Sequence, residues 1–280
     1  MTRLRTIAIG LGVVVVAAVL LAVVTGLVSP RVVRPGAVSV GAASACAVES
    51  GGTVACWGAN AQGQLGDGTR TASATPVAVR GLHGATGVSV SLFAAFACAT
   101  THDGHVACWG NGRRGQLGNG SSRSSLVMQR VLGITDALVV RAGAWENACA
   151  LTRDGHVACW GFNGWGDLGD GSVRDSARPR AVRSLHGVVG LGVGNDEACA
   201  IDGLGAIMCW GYAGSGVLGP RHEPFVDHPV TVSATAKAVA IAVGNDRACA
   251  VLGTGALDCW GSPGAAGSAH DANSPSQRAW

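Results

Sequence analysis

"ACALTRDGHVACWG", residues 148–161, sets two cysteines ten positions apart around an Asp-Gly and closes on Trp-Gly. Centring an antiparallel hairpin midway between Cys149 and Cys159 leaves Arg153-Asp154-Gly155 as a three-residue loop. Such loops run a type I turn into a left-handed residue, a conformation that glycine adopts without strain. Counting outward, Thr152/His156 is a hydrogen-bonded pair and Cys149/Cys159 a non-hydrogen-bonded one. The latter is the close type, with Cα atoms ~4.5–5.5 Å apart and within disulfide reach. The same register places Trp160 opposite Ala148.

The stretch recurs. Cysteines pair as Cys46/Cys56, Cys98/Cys108, Cys149/Cys159, Cys199/Cys209 and Cys249/Cys259, always ten apart and repeating every 50–52 residues. The third loop position is glycine each time: Gly52, Gly104, Gly155, Gly205 and Gly255. Alanine flanks every first cysteine, and a tryptophan follows every second one: Trp57, Trp109, Trp160, Trp210 and Trp260. A large indole set against a small methyl at five equivalent places reads as packing between repeats rather than as a sugar-binding platform. The register predicts a cross-strand disulfide in each hairpin. Five pairs of free buried thiols are the alternative, and Cys-x₉-Cys matches no usual zinc-ligand spacing.

After each Trp-Gly comes a glycine-rich segment, such as "NAQGQLGDG" (60–68) and "NGWGDLGDG" (163–171), which decays to "SPGAAGSAHD" (262–271) in the fifth repeat. A further strand follows: "PVAVRGL" (76–82), "VMQRVLGI" (127–134), "PRAVRSL" (179–185), "PVTV" (229–232), with "PSQRAW" (275–280) as a worn fifth copy. Apolar strands such as "GVSVSLF" (87–93) and "VAIAVG" (239–244) precede the hairpins. Four short strands per unit at this period suit a propeller blade. The expected fold is all-β, a β-propeller of about five four-stranded antiparallel blades over residues 37–280, preceded by one N-terminal transmembrane helix.

That helix is read from "IAIGLGVVVVAAVLLAVVTGLV" (7–28), a run of 22 residues without charge. Its length spans ~30 Å of hydrocarbon. With no A-x-A-like cleavage site after Val28, an uncleaved signal anchor is expected, with residues 1–6 cytoplasmic and 29–36 as a linker. Arg3 and Arg5 balance Arg31 and Arg34, so flanking charge leaves the orientation open. Disulfides persist in oxidising compartments, which puts residues 37–280 outside the cytoplasm of a single-pass cell-membrane protein. One lysine against 19 arginines suits a high-GC bacterial genome. The net charge of +3 belongs to the membrane flank: without those four arginines, 16 basic residues face 17 acidic ones. So neutral a domain lacks the basic face that nucleic acid demands.

The segments "CAVESGGTVACWGANAQGQLGDGT" (46–69), "CATTHDGHVACWGNGRRGQLGNGS" (98–121) and "CALTRDGHVACWGFNGWGDLGDGS" (149–172) resemble the regulator of chromosome condensation repeat family. The resemblance implies a β-propeller, commonly of seven blades, and offers guanine-nucleotide exchange as one activity known in the family. Five repeats are counted here.

Catalytic signals are sparse. The Asp-Gly and Asn-Gly pairs at 67–68, 119–120 and 170–171 lack the alternating-acid ladder of a calcium loop and read as turns. His102, His105 and His156 flank hairpin tips without a third ligand. There is no G-x-S-x-G, no phosphate-cradling loop and no paired-carboxylate pattern. The reading is therefore a non-catalytic, membrane-anchored propeller, needing neither cofactor nor metal, that binds a protein or an anionic envelope component. A hydrolase-type enzyme with a site in the central channel is the alternative. Residues that vary between repeats are the binding candidates: the loop arginines Arg113, Arg114, Arg123, Arg174, Arg178 and Arg180, which suit an acidic partner, and the non-recurring Trp145 and Trp165, which suit aromatic anchoring.

Overall fold

A computed structural model describes residues 37–220, 223–233 and 237–262. All regular structure among them is β. The first sheet comprises β1 (Val38–Val40), β2 (Ser44–Val48), β3 (Val54–Gly58) and β4 (Ser73–Ala78). The second holds β5 (Ala85–Val90), β6 (Phe96–Thr101), β7 (Val106–Gly110) and β8 (Ser125–Arg130). The third holds β9 (Ala137–Ala142), β10 (Asn147–Thr152), β11 (Val157–Gly161) and β12 (Ser176–Ala181). The fourth holds β13 (Val188–Val193), β14 (Glu197–Asp202), β15 (Ile207–Tyr212) and β16 (Phe225–Ser233). The fifth has three described strands, β17 (Ala238–Val243), β18 (Arg247–Leu252) and β19 (Leu257–Gly261). Each sheet is an antiparallel meander in chain order, one sheet per cysteine repeat.

The hairpin register agrees with the sequence reading. Cys149 faces Cys159 and Ala148 faces Trp160. Cys46 faces Cys56, Cys98 faces Cys108, Cys199 faces Cys209 and Cys249 faces Cys259 in the same way. Thr152 N–H donates to the His156 carbonyl at 2.9 Å, closing the three-residue loop. The third-position glycines all adopt positive φ, between 77° and 84°.

Disulfides staple all five hairpins: Cys46–Cys56, Cys98–Cys108, Cys149–Cys159, Cys199–Cys209 and Cys249–Cys259. None of the described cysteines is free, so the alternative of paired thiols falls away. One detail of the expectation is corrected. The Cα–Cα distances are 4.0–4.1 Å, shorter than an average non-hydrogen-bonded pair, because the bridge draws an already close pair together. The five bridges also differ in burial. Cys98, Cys108, Cys199 and Cys209 are fully buried, whereas Cys249 and Cys259 are half-buried, since no further described sheet packs over theirs.

First strands pack against first strands of the next sheet (β5 on β9, β9 on β13, β13 on β17), so they line the inside. Fourth strands are largely exposed and form the outer edge. These outer strands begin two or three residues earlier than the sequence pattern suggests, at Ser73, Ser125 and Ser176. Each serine hydroxyl donates to the carbonyl two residues on, at 2.6–2.7 Å, which fixes the strand start at the serine. The apolar tails assigned to the strands (Val79, Val131, Val182) lie beyond them, buried between sheets.

The core is a series of inter-sheet layers, not one central mass. Cys46, Val54 and Cys56 of the first sheet pack with Ala97, Ala99 and Trp109 of the second. Cys98 and Cys108 pack in the same way with Ala148, Ala150 and Trp160. Cys149 and Cys159 meet Ala198, Ala200 and Trp210, and Cys199 and Cys209 meet Ala248, Ala250 and Trp260. Trp109, Trp160 and Trp210 are fully buried. Each donates its indole N–H at 2.9 Å to a carbonyl in the glycine-rich segment of the preceding sheet: Gln64, Gln116 and Asp167. Trp260 does the same to Val217 at 2.8 Å. Trp57, in the first described sheet, is half-buried.

Among the described residues no helix is long and apolar enough to cross a membrane. The predicted anchor (7–28), its cytoplasmic and linker flanks, and the worn strand at 275–280 lie outside the described residues.

Candidate functional site

The ten cysteines belong to the scaffold. Cys108, Cys209 and Cys259 are each consumed in a bridge to the preceding strand, as are their counterparts Cys56 and Cys159, which leaves no thiol among the described residues for nucleophilic or metal chemistry. The site has to come from the loops.

The loops between first and second strands (41–43, 91–95, 143–146, 194–196 and 244–246) gather at one end of the sheets, near the inside. Backbone bonds stitch them together: Ala42 N–H to the Leu92 carbonyl, Phe93 N–H to Ala144, and Ala144 N–H to Gly194, at 2.7–2.9 Å. The Ser91 hydroxyl adds a bond to the Ala144 carbonyl. This stitching holds Phe93 and Trp145 as neighbours, ring centroids 6.1 Å apart. They remain 53% and 49% exposed. Two adjacent large rings, fixed by backbone yet facing water, form an apolar patch of the kind that marks interaction sites.

Farther out at the same end run the glycine-rich segments. Trp165 leans edge-on to Tyr212 at 5.5 Å and near Phe225 at 6.4 Å. Arg114 bridges this segment to the loop that carries Trp145 through Glu146. Its Nε lies 3.6 Å from Glu146, its Nη1 3.3 Å from Asp175, and its guanidinium 5.4 Å above the Phe162 ring.

The structure divides the arginines that the sequence grouped. Arg113, Arg114 and Arg123 belong to the second sheet's glycine-rich segment and Arg174 to the third's. Arg178 and Arg180 lie on outer strand β12, on the flank, with Arg180 Nε paired to Asp170 at 3.3 Å. Among the described residues Arg113, Arg123, Arg174 and Arg178 form no salt bridge. The turn acids have structural employment. Asp67 and Asp170 accept hydrogen bonds from Thr69 and Ser172, which lower their pKa against the opposing pull of partial burial. The buried Asn60 and Asn163 amides tie the same turns together. At the opposite end, His156 pairs with Asp154 at 3.0 Å and His105 lies 3.8 Å from Asp103. No group of three metal-binding side chains occurs among the described residues. A cavity of about 120 Å³ between β5 and β9 is lined by Thr86, Val88, Thr100, Leu138, Val140 and Arg141, a lining without a carboxylate or imidazole.

One group escaped the sequence reading. Asp167 and Glu197 are each 1% exposed. Burial pushes Asp167 up to about 8, with Asp196 and Glu197 adding like charge. Burial likewise pushes Glu197 up to about 7, partly offset by hydrogen bonds from Ser215 and the Asp196 amide, with Asp246 and Asp196 nearby. Asp196 is raised by burial and by Asp246. Asp167 Oδ2 accepts the Trp165 amide at 3.0 Å, while its Oδ1, Glu197 Oε1 and Asn195 Oδ1 have no partner among the described residues. The signal was present as Glu146, Asp196 and Asp246, which occupy equivalent loop positions in successive repeats. It went unread because each acid is isolated within its own repeat.

The Regulator of chromosome condensation (RCC1) repeat profile matches residues 51–102. Residues 51–102 thus carry a repeat of the regulator of chromosome condensation type. The chain is 35% identical over 141 residues to the ultraviolet-B receptor UVR8 of Arabidopsis thaliana, covering 50% of this chain and 32% of the receptor. It is 35% identical over 136 residues to the human E3 ubiquitin-protein ligase HERC2, covering 48% of this chain and 3% of the ligase. Among solved structures, yeast RCC1 (Prp20) bound to Kap60 superposes with a TM-score of 0.68 at 20% identity, over 79% of this chain and 54% of that one. Human WBSCR16 gives 0.65 at 23% identity, over 74% and 55%. The chain thus spans about half of the solved RCC1-type chains and less of its curated relatives. The sheets described above have the arrangement of RCC1-type propeller blades.

Proposed function

We propose that this chain is a non-catalytic propeller that binds a protein through the end of its blades carrying Phe93, Trp145, Trp165 and Arg114. The exposed Phe93–Trp145 pair carries the reading. Tryptophan and arginine are the residues that dominate protein interfaces, and two rings locked by backbone lose little entropy on binding. Yeast RCC1 was solved bound to Kap60, and Prp20p was characterised for binding Gsp1p and histones. These support protein binding as a use of such blades, with partners particular to those proteins.

The domain is read as anchored through residues 7–28 and displayed outside the cytoplasm, supported by five disulfides and by the uncharged run. On intact cells, externally added protease is expected to remove residues 37–280; complete protection would overturn that orientation. An anionic envelope component is the second candidate partner, favoured by Arg113, Arg123, Arg174 and Arg178, which form no salt bridge among the described residues.

Cross-linking capture with the full chain tests the binding face. A Phe93→Ala/Trp145→Ala double variant should lose captured partners that the wild type retains. Leu204→Ser, altering an exposed hairpin tip at the opposite end, should keep them. Equal capture by all three would sink the assignment.

A further inference from the structure

We propose that the Phe93–Trp145 end recognises a protein segment in which a large apolar side chain is flanked by arginine or lysine. This rests on the preceding reading of that end as the binding face and adds the chemistry of its partner.

Two independent features point the same way. The first is the ring pair itself, with Leu92 beside it also exposed. The second lies on the next loops of the same end. There the aromatic positions give way to Asn195-Asp196 and Asn245-Asp246. The Asp196 and Asp246 carboxylates accept only neutral amide donors, from Asn195 at 3.2 Å and Asn245 at 2.8 Å. Among the described residues neither makes a salt bridge, and the nearby Arg247 turns its Nε to the Ser262 carbonyl at 3.2 Å. Close to them, Asp167 Oδ1 and Glu197 Oε1 are buried without a hydrogen-bond partner among the described residues, as is Asn195 Oδ1.

Glu146 marks the boundary between the two halves. Its charge is answered within the chain by Arg114, and one oxygen accepts the Asn111 amide at 3.0 Å. Past Glu146 the acids have no such answer. Asp196 and Asp246 lie close enough for each charge to disfavour the other, and like carboxylates held together are costly. A cation arriving from outside relieves that repulsion, whereas an anion would add to it. The basic residues of this end, Arg113, Arg123 and Arg174, lie on the outer segments of the second and third blades. The acids past Glu146 belong instead to the first-to-second-strand loops of the fourth and fifth sheets. A segment that seats an apolar side chain on Phe93 and Trp145 carries its neighbouring residues over the acids. Electrostatic complementarity then sets its direction and its choice of partner.

The test uses the full chain and three short synthetic peptides followed by fluorescence anisotropy. One carries tryptophan and leucine between arginines, the second has glutamates for the arginines, and the third has serines for the apolar residues. The arginine–apolar peptide should bind at least about tenfold tighter than either control, and more weakly as salt rises. Trp145→Ala should weaken it about tenfold. An Asp196→Asn/Asp246→Asn variant should weaken it about three- to tenfold while leaving the serine peptide unaffected. Thermal melts of the variants matching wild type exclude unfolding as the cause. Equal binding of the glutamate peptide, no loss in the Asp196/Asp246 variant, or no binding of the arginine–apolar peptide each overturns the proposal. Capture that depends on Phe93 and Trp145, together with a failed peptide series, would leave the binding face standing and remove only its chemistry.

Discussion

Asp167 stands where the two preceding repeats have Gln64 and Gln116, and its side chain performs their task. Gln64 Oε1 accepts the Gln62 amide at 3.0 Å, Gln116 Oε1 the Arg114 amide at 2.9 Å, and Asp167 Oδ2 the Trp165 amide at 3.0 Å. A neutral amide does this at no charge cost, whereas a carboxylate must stay protonated when buried. With folded pKa values of about 8 for Asp167 and about 7 for Glu197, both above ordinary carboxylate values, the native state holds protons that the unfolded chain releases above pH ~4. Their stabilising contribution is complete below that point and is lost as pH rises through 7 to 8. Chemical denaturation from pH 5 to 8 should therefore show falling stability. Asp167→Asn should flatten most of the slope and raise stability at pH 8 by on the order of 3 kcal/mol. An unchanged slope would show that Asp167 is ionised in the fold. Sequence alone displays the Gln-to-Asp exchange but not its burial, because the cover comes from the next blade.

The recurring element is the joint between blades, where an indole meets a glycine. A Cβ on Gly118, whose φ is 65°, would come within 2.9 Å of Trp160 Nε1. Gly66 and Gly169 stand in the same relation to Trp109 and Trp210. Gly118→Ala should thus destabilise by about 1–3 kcal/mol through strain and displacement of the indole. Trp160→Phe should cost about 1–2 kcal/mol, losing the bond to the Gln116 carbonyl and some packed volume. Both changes are read as shifts in the denaturation midpoint at constant slope. If Gly118→Ala were neutral, the close approach would not exist. The hairpin half of this element was legible from cysteine spacing and the third-position glycines, since a hairpin's register depends only on its own residues. The tryptophans were legible as packing between repeats. Their hydrogen-bond acceptors were not, because each lies 43–45 residues upstream in the preceding blade.

At the scale of the whole molecule, stability is distributed over layers between neighbouring blades, each stapled by its own disulfide. Every such bridge closes a short loop and contributes on the order of 2–3 kcal/mol. Replacing Cys149 and Cys159 together by alanine should lower stability by about that amount, seen in thermal melts, and reduction of all five should cause loss of the native fold. A melt unchanged by reductant would make the disulfides dispensable. Local pattern settled what is local: ten-residue cysteine spacing, loop glycines and a 50–52-residue period dictated stapled hairpins in repeating four-stranded units. The spacing did not reveal that Cys98–Cys108 and Cys199–Cys209 are sealed between sheets while Cys249–Cys259 is half-open, because burial depends on the neighbouring blade. Tertiary structure alone decided which varying residues share a surface. Trp145 gained Phe93 as its neighbour, the candidate arginines divided between one end and the outer flank, and scattered acids converged beside the ring pair. The reason is geometric. A repeat specifies its own blade through contacts a few residues apart, whereas a binding face collects one loop from each blade, some fifty residues apart in the chain and joined only by the packing between sheets.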